Sequence, residues 1–81
     1  MPVEERTEKR AGRLSALTAR ETQIARAVAE GRGNREIATQ LGITEQTVKN
    51  HLTSIYEKVG VSSRLQLALL IVRSVTSRIE P

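Results

Sequence analysis

Gln46, Asn50, Thr53 and Glu57 recur at steps of four, three and four within TEQTVKNHLTSIYEKV, residues 44–59, and Lys49 and Ser54 flank them. At about 100° per residue these side chains share one side of a helix. Short amides and hydroxyls with one lysine can donate and accept hydrogen bonds, whereas a merely solvated face usually carries Glu–Lys pairs. The chemistry on offer is recognition of a polar partner. Bond-making chemistry is poorly served. The Ser and Thr residues at 44, 47, 53, 54, 62 and 63 lack the base and orienting acid that a nucleophile needs. His51 is the single histidine, with no Cys or Asp to share a metal, and reads as structural. Gly31-Arg32-Gly33 reads as a turn and not as a phosphate loop. No enzymatic activity, metal or cofactor is expected.

The elements that would position this face are helices. Val48, Leu52, Ile55 and Val59 fall at i, i+4, i+7 and i+11, an apolar stripe opposite the polar side. Thr44 caps the start of this helix and Gly60 stops it. Upstream, Leu17 precedes a capping box in which Thr18 and Glu21 stand three residues apart. Ile24, Ala25 and Val28 then form an inward face, and Gly31 ends the helix. Asn34 is the expected cap of a short helix over 35–41, with Ile37, Ala38 and Leu41 inward. Gly42 closes it, and Ile43 is expected to be a buried turn residue. Ser63 and Gln66 open a last helix that contains LQLALLIV. Its apolar arc is about 200° wide, against the roughly 100° that a surface helix needs. Leu67, Ile71 and Val75 form one face toward the core. Leu65, Ala68, Leu69 and Val72 form a second, which either packs in the centre of the bundle or is covered by a second copy; a homodimer is the expectation. The fold class is therefore all-α, a compact four-helix domain over residues 17–76. Residues 1–16 are expected to be a flexible charged tail or linker, with room for a short frayed helix, and residues 77–81 a frayed end.

A short helix, the link Gly42-Ile43-Thr44 and a longer helix make a helix-turn-helix. In that motif the second helix lies in the major groove of DNA while the first crosses the phosphates. From residue 17 to 72 the chain resembles the LuxR/FixJ-type helix-turn-helix domain of bacterial transcription regulators. The matching words are LTARE, AEGRGNREIATQLGIT, TVKNHLTSIYEKVGV and SSRLQLAL, in one order and without gaps. The resemblance implies sequence-specific binding of double-stranded DNA at an inverted-repeat promoter site, with the third helix in the major groove. It puts Lys49, Asn50 and Thr53 at base-facing positions, with Gln46 and Thr47 meeting phosphate or a base edge. Asn34, Arg35 and Lys58 become further backbone contacts. It also makes the fourth helix the dimer interface, in agreement with its second apolar face. Glu57 departs from a DNA-facing role and is expected either to lie beyond the groove or to pair with Lys58 or Arg64. A sigma-factor-like helix-turn-helix shares the LTARE opening but fits NREIATQLGIT and TVKNHL less well. A different class also stays open: a protein-interaction module whose fourth helix captures a related regulator or RNA polymerase.

Bulk properties agree with these expectations without deciding between them. The 81 residues allow one small domain, 38% of them hydrophobic, with Tyr56 the single aromatic and expected at the core edge. Thirteen Lys and Arg against nine Glu give a net charge of +4, which suits an anionic partner without requiring one. The absence of cysteine excludes disulfides and thiolate sites. No apolar run nears the roughly 18 residues of a membrane span. A cytoplasmic bacterial protein is the expectation. With no Asp there is no phosphoryl-accepting aspartate within these residues. The chain reads either as a stand-alone regulator or as the effector domain of a longer one.

Overall fold

The computed structural model describes residues 13–79, with side chains through residue 74. A 3₁₀ turn, Arg13–Ala16, leads into four α-helices: α1 Ala19–Ala29, α2 Asn34–Leu41, α3 Glu45–Val59 and α4 Arg64–Ile79. There is no strand among the described residues. Helix α1 lies against α3 and α4, and α2 lies against α3.

The helix boundaries follow from local chemistry. Thr18 and Glu21 form the expected reciprocal box: Glu21 N–H donates to Thr18 Oγ1 at 3.1 Å, and Thr18 N–H donates to Glu21 Oε1 at 2.9 Å. Thr44 Oγ1 accepts from Thr47 N–H at 3.0 Å and so caps α3. At Gly42, φ is +68°, a conformation that strains any residue with a Cβ. This left-handed residue lets Ile43 N–H return to the Ala38 carbonyl at 3.0 Å, which reverses the chain within the link between α2 and α3. Ile43 is half-buried and packs on the core from that turn. The start of α2 differs from expectation. Gly33 takes the cap position, and Asn34 is the first helical residue, with its side chain used elsewhere. At α4, Ser63 Oγ accepts from Gln66 N–H as expected, but Gln66 Oε1 reaches Ser62 N–H and not that of Ser63.

The core is aliphatic. Ile24, Ile37, Val48, Ile55, Val59 and Leu67 are wholly buried, and each such side chain contributes about 1.5–3 kcal/mol relative to exposure. The stripe Val48, Leu52, Ile55 and Val59 is buried along its length. Tyr56 packs at the core edge, partly buried. On α4 the inner face is Leu67 and Leu70, with Ile71 partly buried; Leu70 joins it unpredicted. The side chain of Val75, expected in the core, lies outside the described residues.

Two boundaries move outward. Arg13–Ala16 is the short helical piece that the charged segment left room for, and Leu14 packs against the core. The Arg13 guanidinium also rests on the end of α3: a Cβ at Gly60, where φ is +74°, would stand 2.6 Å from its Nη1. Residues 1–12 of the expected tail lie outside the described residues. Helix α4 continues to Ile79, past the expected boundary at 76, and residues 80–81 lie outside the described residues.

Candidate nucleic-acid interface

Burying one side of α3 fixes what the other side presents. Gln46, Lys49, Asn50 and Thr53 are exposed, and Thr47 is half-buried beside the cap. Their hydrogen bonds are local. Gln46 Nε2 donates to Asn50 Oδ1 at 3.1 Å, one helical turn away. Thr53 Oγ1 donates back to the Lys49 carbonyl at 3.1 Å. With that proton committed, the Thr53 hydroxyl has only lone pairs to offer, together with its methyl group. Thr47 Oγ1 shares a 2.9 Å bond with Thr44 Oγ1. The face thus carries a cation, two amides and a hydroxyl acceptor on a rigid helix, none of them tied to another element by these bonds.

One flank of this polar face is closed by α1, and it includes Ser54, which the sequence placed beside the outward set. Glu21, only 4% exposed, sits between α1 and α3. Its Oε1 accepts from Lys58 Nζ at 2.7 Å, and its Oε2 accepts from Ser54 Oγ at 3.1 Å. Lys58 first, then the Thr18 backbone N–H, hold the Glu21 carboxyl down to about 2 from an ordinary 4.5. Burial pushes the other way, and the Ser54 hydroxyl and the Lys58 charge add to the lowering. One carboxylate therefore caps α1 and ties it to two residues of α3 a turn apart.

Two members of the expected contact set have a partner within the fold. One donor of the Lys58 ammonium goes to Glu21 Oε1 at 2.7 Å, and Asn34 Oδ1 accepts from Arg64 Nη1 at 2.6 Å, a bond that does not use the Asn34 amide N–H groups. Arg35, next to it at the start of α2, is exposed. Glu57 has neither expected partner, since Lys58 goes to Glu21, and Arg64 goes to Asn34 and to the Arg32 carbonyl. His51 is half-buried on α3. On α4, Leu65, Leu69 and Val72 are 69%, 46% and 51% exposed, while Ala68 packs partly on the core. No group of three or more His or Glu side chains among the described residues is arranged to hold a metal. Among these residues no helix is long and apolar enough to cross a membrane.

Two linked helices with a buried seam and a polar outer face define a helix-turn-helix domain. The luxR family of bacterial regulatory proteins matches over residues 15–71, and the chain belongs to that family. It is 46% identical over 57 residues to the probable transcriptional regulatory protein SgaR of Hyphomicrobium methylovorum, covering 70% of this chain and 27% of that one. It is 45% identical over 58 residues to the transcriptional regulatory protein UhpA of Salmonella typhimurium, covering 72% and 30%. It is 48% identical over 54 residues to the transcriptional regulatory protein LiaR of Bacillus subtilis, covering 67% and 26%. The chain thus spans less than a third of the length of each of these relatives.

Proposed function

We propose that this domain binds double-stranded DNA sequence-specifically in the bacterial cytoplasm and regulates transcription as a homodimer, with α3 in the major groove. The observation that carries this is the outer face of α3, whose polar groups make only local bonds that a base edge can replace. Lys49 donates to guanine O6 or N7, and Asn50 pairs with adenine through its amide. Thr53 accepts from an exocyclic amine or packs its methyl on thymine. Gln46 and Thr47, in the first turn, meet a base edge or phosphate, where the helix N-terminus also favours anions. Arg35 supplies a phosphate contact from α2. Leu65, Leu69 and Val72, with Ala68 beside them, form the α4–α4 interface. That face is apolar and exposed in the single chain, and a second copy covers it.

Selection of bound sites from random duplex tests this directly. The expected product is an inverted repeat with half-site centres about 10 base pairs apart or a multiple of that. Recovery of no common sequence counts against specific recognition, and a lone half-site bound by one protomer counts against the dimer. Leu69→Glu should yield a monomer by sedimentation; an unchanged dimer mass would remove α4 as the interface. The exposed apolar side of α4 also fits a protein-interaction module that captures a related regulator or RNA polymerase. Retention of no duplex even at low salt would favour that second reading, whereas binding that falls steeply with salt favours DNA.

A further inference from the structure

Arg64 is the first residue of α4. A cation there meets the positive end of the helix dipole, where acids are favoured. Its guanidinium reaches a second helix start as well. Nη1 donates to Asn34 Oδ1 at 2.6 Å, and Nη2 donates to the Arg32 carbonyl at 2.6 Å. Asn34 begins α2, and Arg32 lies in the turn before it. Two helix N-termini therefore converge on one guanidinium, an arrangement that both dipoles oppose. Two short charge-assisted bonds offset that cost. Neither acceptor is an acid. The acids near the turn, Glu30 and Glu36, pair with Arg32, at 3.1 and 4.0 Å. Neutralising charge is therefore not what Arg64 does here. Its planar fork holds two acceptors at once, which the single ammonium of a lysine does not reproduce.

The bridge stands one residue from each proposed working surface. Leu65, the next residue along α4, is 69% exposed on the face assigned to the partner copy. Arg35, the residue after Asn34, is the proposed phosphate contact. We propose that Arg64 is a positioning residue: it locks the start of α2 to the start of α4, so that the two-fold geometry set at the dimer interface reaches the DNA backbone through a rigid strut. This rests on the DNA-binding homodimer proposed above. A rigid strut makes half-site spacing strict. Without it, each helix-turn-helix pivots against the dimer helix and the spacing requirement loosens.

The experiment measures wild type and Arg64→Ala on a single half-site, on paired half-sites at the selected spacing, and on pairs lengthened stepwise. The expected result is a preference for the selected spacing that shrinks by roughly fivefold or more in the variant, the lower end of coupling between sites. Single half-site affinity and dimer mass stay unchanged. Arg64→Lys, which keeps the charge without the fork, should relax spacing in the same way, and it carries the test should Arg64→Ala fail to fold. A lower melting temperature with equal weakening on single and paired sites makes Arg64 merely structural and overturns the proposal, as does an unaltered spacing profile. Those outcomes leave the DNA-binding reading standing. Wild type that retains no duplex, or that never binds as a dimer, overturns that reading and the strut with it.

Discussion

Helix α3 carries polar side chains on two sides. Toward α1, Ser54 and Lys58 donate to Glu21, across 33 and 37 residues of chain. Away from α1, Gln46 and Thr53 bond only within the helix, to Asn50 and to the Lys49 carbonyl. The residue types overlap: a hydroxyl and a lysine stand on each side. What separates them is whether another element has already claimed the group. On the α1 side, polar atoms specify how α3 sits in the fold, because a buried carboxylate must be satisfied. On the outer side, exchanging a local bond for a partner's bond costs little, so these groups are available for recognition. Each side depends on the other, since an outward face reads DNA reproducibly only if its helix is fixed inwardly.

Replacing a residue on each side should therefore give opposite phenotypes. The largest effect is expected at Glu21. Glu21→Ala removes a helix cap and the charge-assisted bonds that tie α1 to α3. That should cost about 2–3 kcal/mol of folding stability, and a melting temperature lower by on the order of 10 °C. Thermal denaturation followed by circular dichroism measures it. A loss no larger than that of Gln46→Ala, which should stay within about 0.5 kcal/mol of wild type, would erase the distinction between the two sides.

A smaller effect, with a definite sign, is the pH dependence. The folded pKa of Glu21 lies below its unfolded value, so its ionised form favours the native state. Its contribution is present above the unfolded pKa and is lost as pH falls, over roughly pH 5 to 2. Glu21→Gln should be less stable than wild type at neutral pH, and the gap should narrow in that acid range. Parallel stability curves for the two proteins would show that the carboxylate does not carry the link.

The sequence made the local part of this legible. Capping at Thr18 and Thr44, the stops at Gly42 and Gly60, and the apolar stripe of α3 depend on neighbours within about one turn, and the structure bears them out. The outward set on α3 followed from the same periodicity, except Ser54, which is half-buried and donates to Glu21. What escaped depends on distant partners. Glu21 was legible as a cap, but not as a buried link between helices, because Ser54 and Lys58 come to it only through the fold. Asn34 has the chemistry of a cap, yet Gly33 takes that position, and Arg64, 30 residues on, takes its side chain. A signal was present in Arg64 itself: a cation in the first turn of a helix calls for a compensating acceptor. Leu70 was missed because an arc as wide as that of α4 leaves its inner edge undefined until packing chooses it.

The central claim is that the outer side of α3 reads base edges. Titrating wild type and Lys49→Ala/Asn50→Ala against the selected site and against random duplex, at one salt concentration, tests it most directly. The double variant should keep its melting temperature and most of its affinity for random duplex. Its preference for the selected site should fall by roughly 1–3 kcal/mol for each base contact removed. Equal weakening on both duplexes, or an unchanged preference, would contradict it.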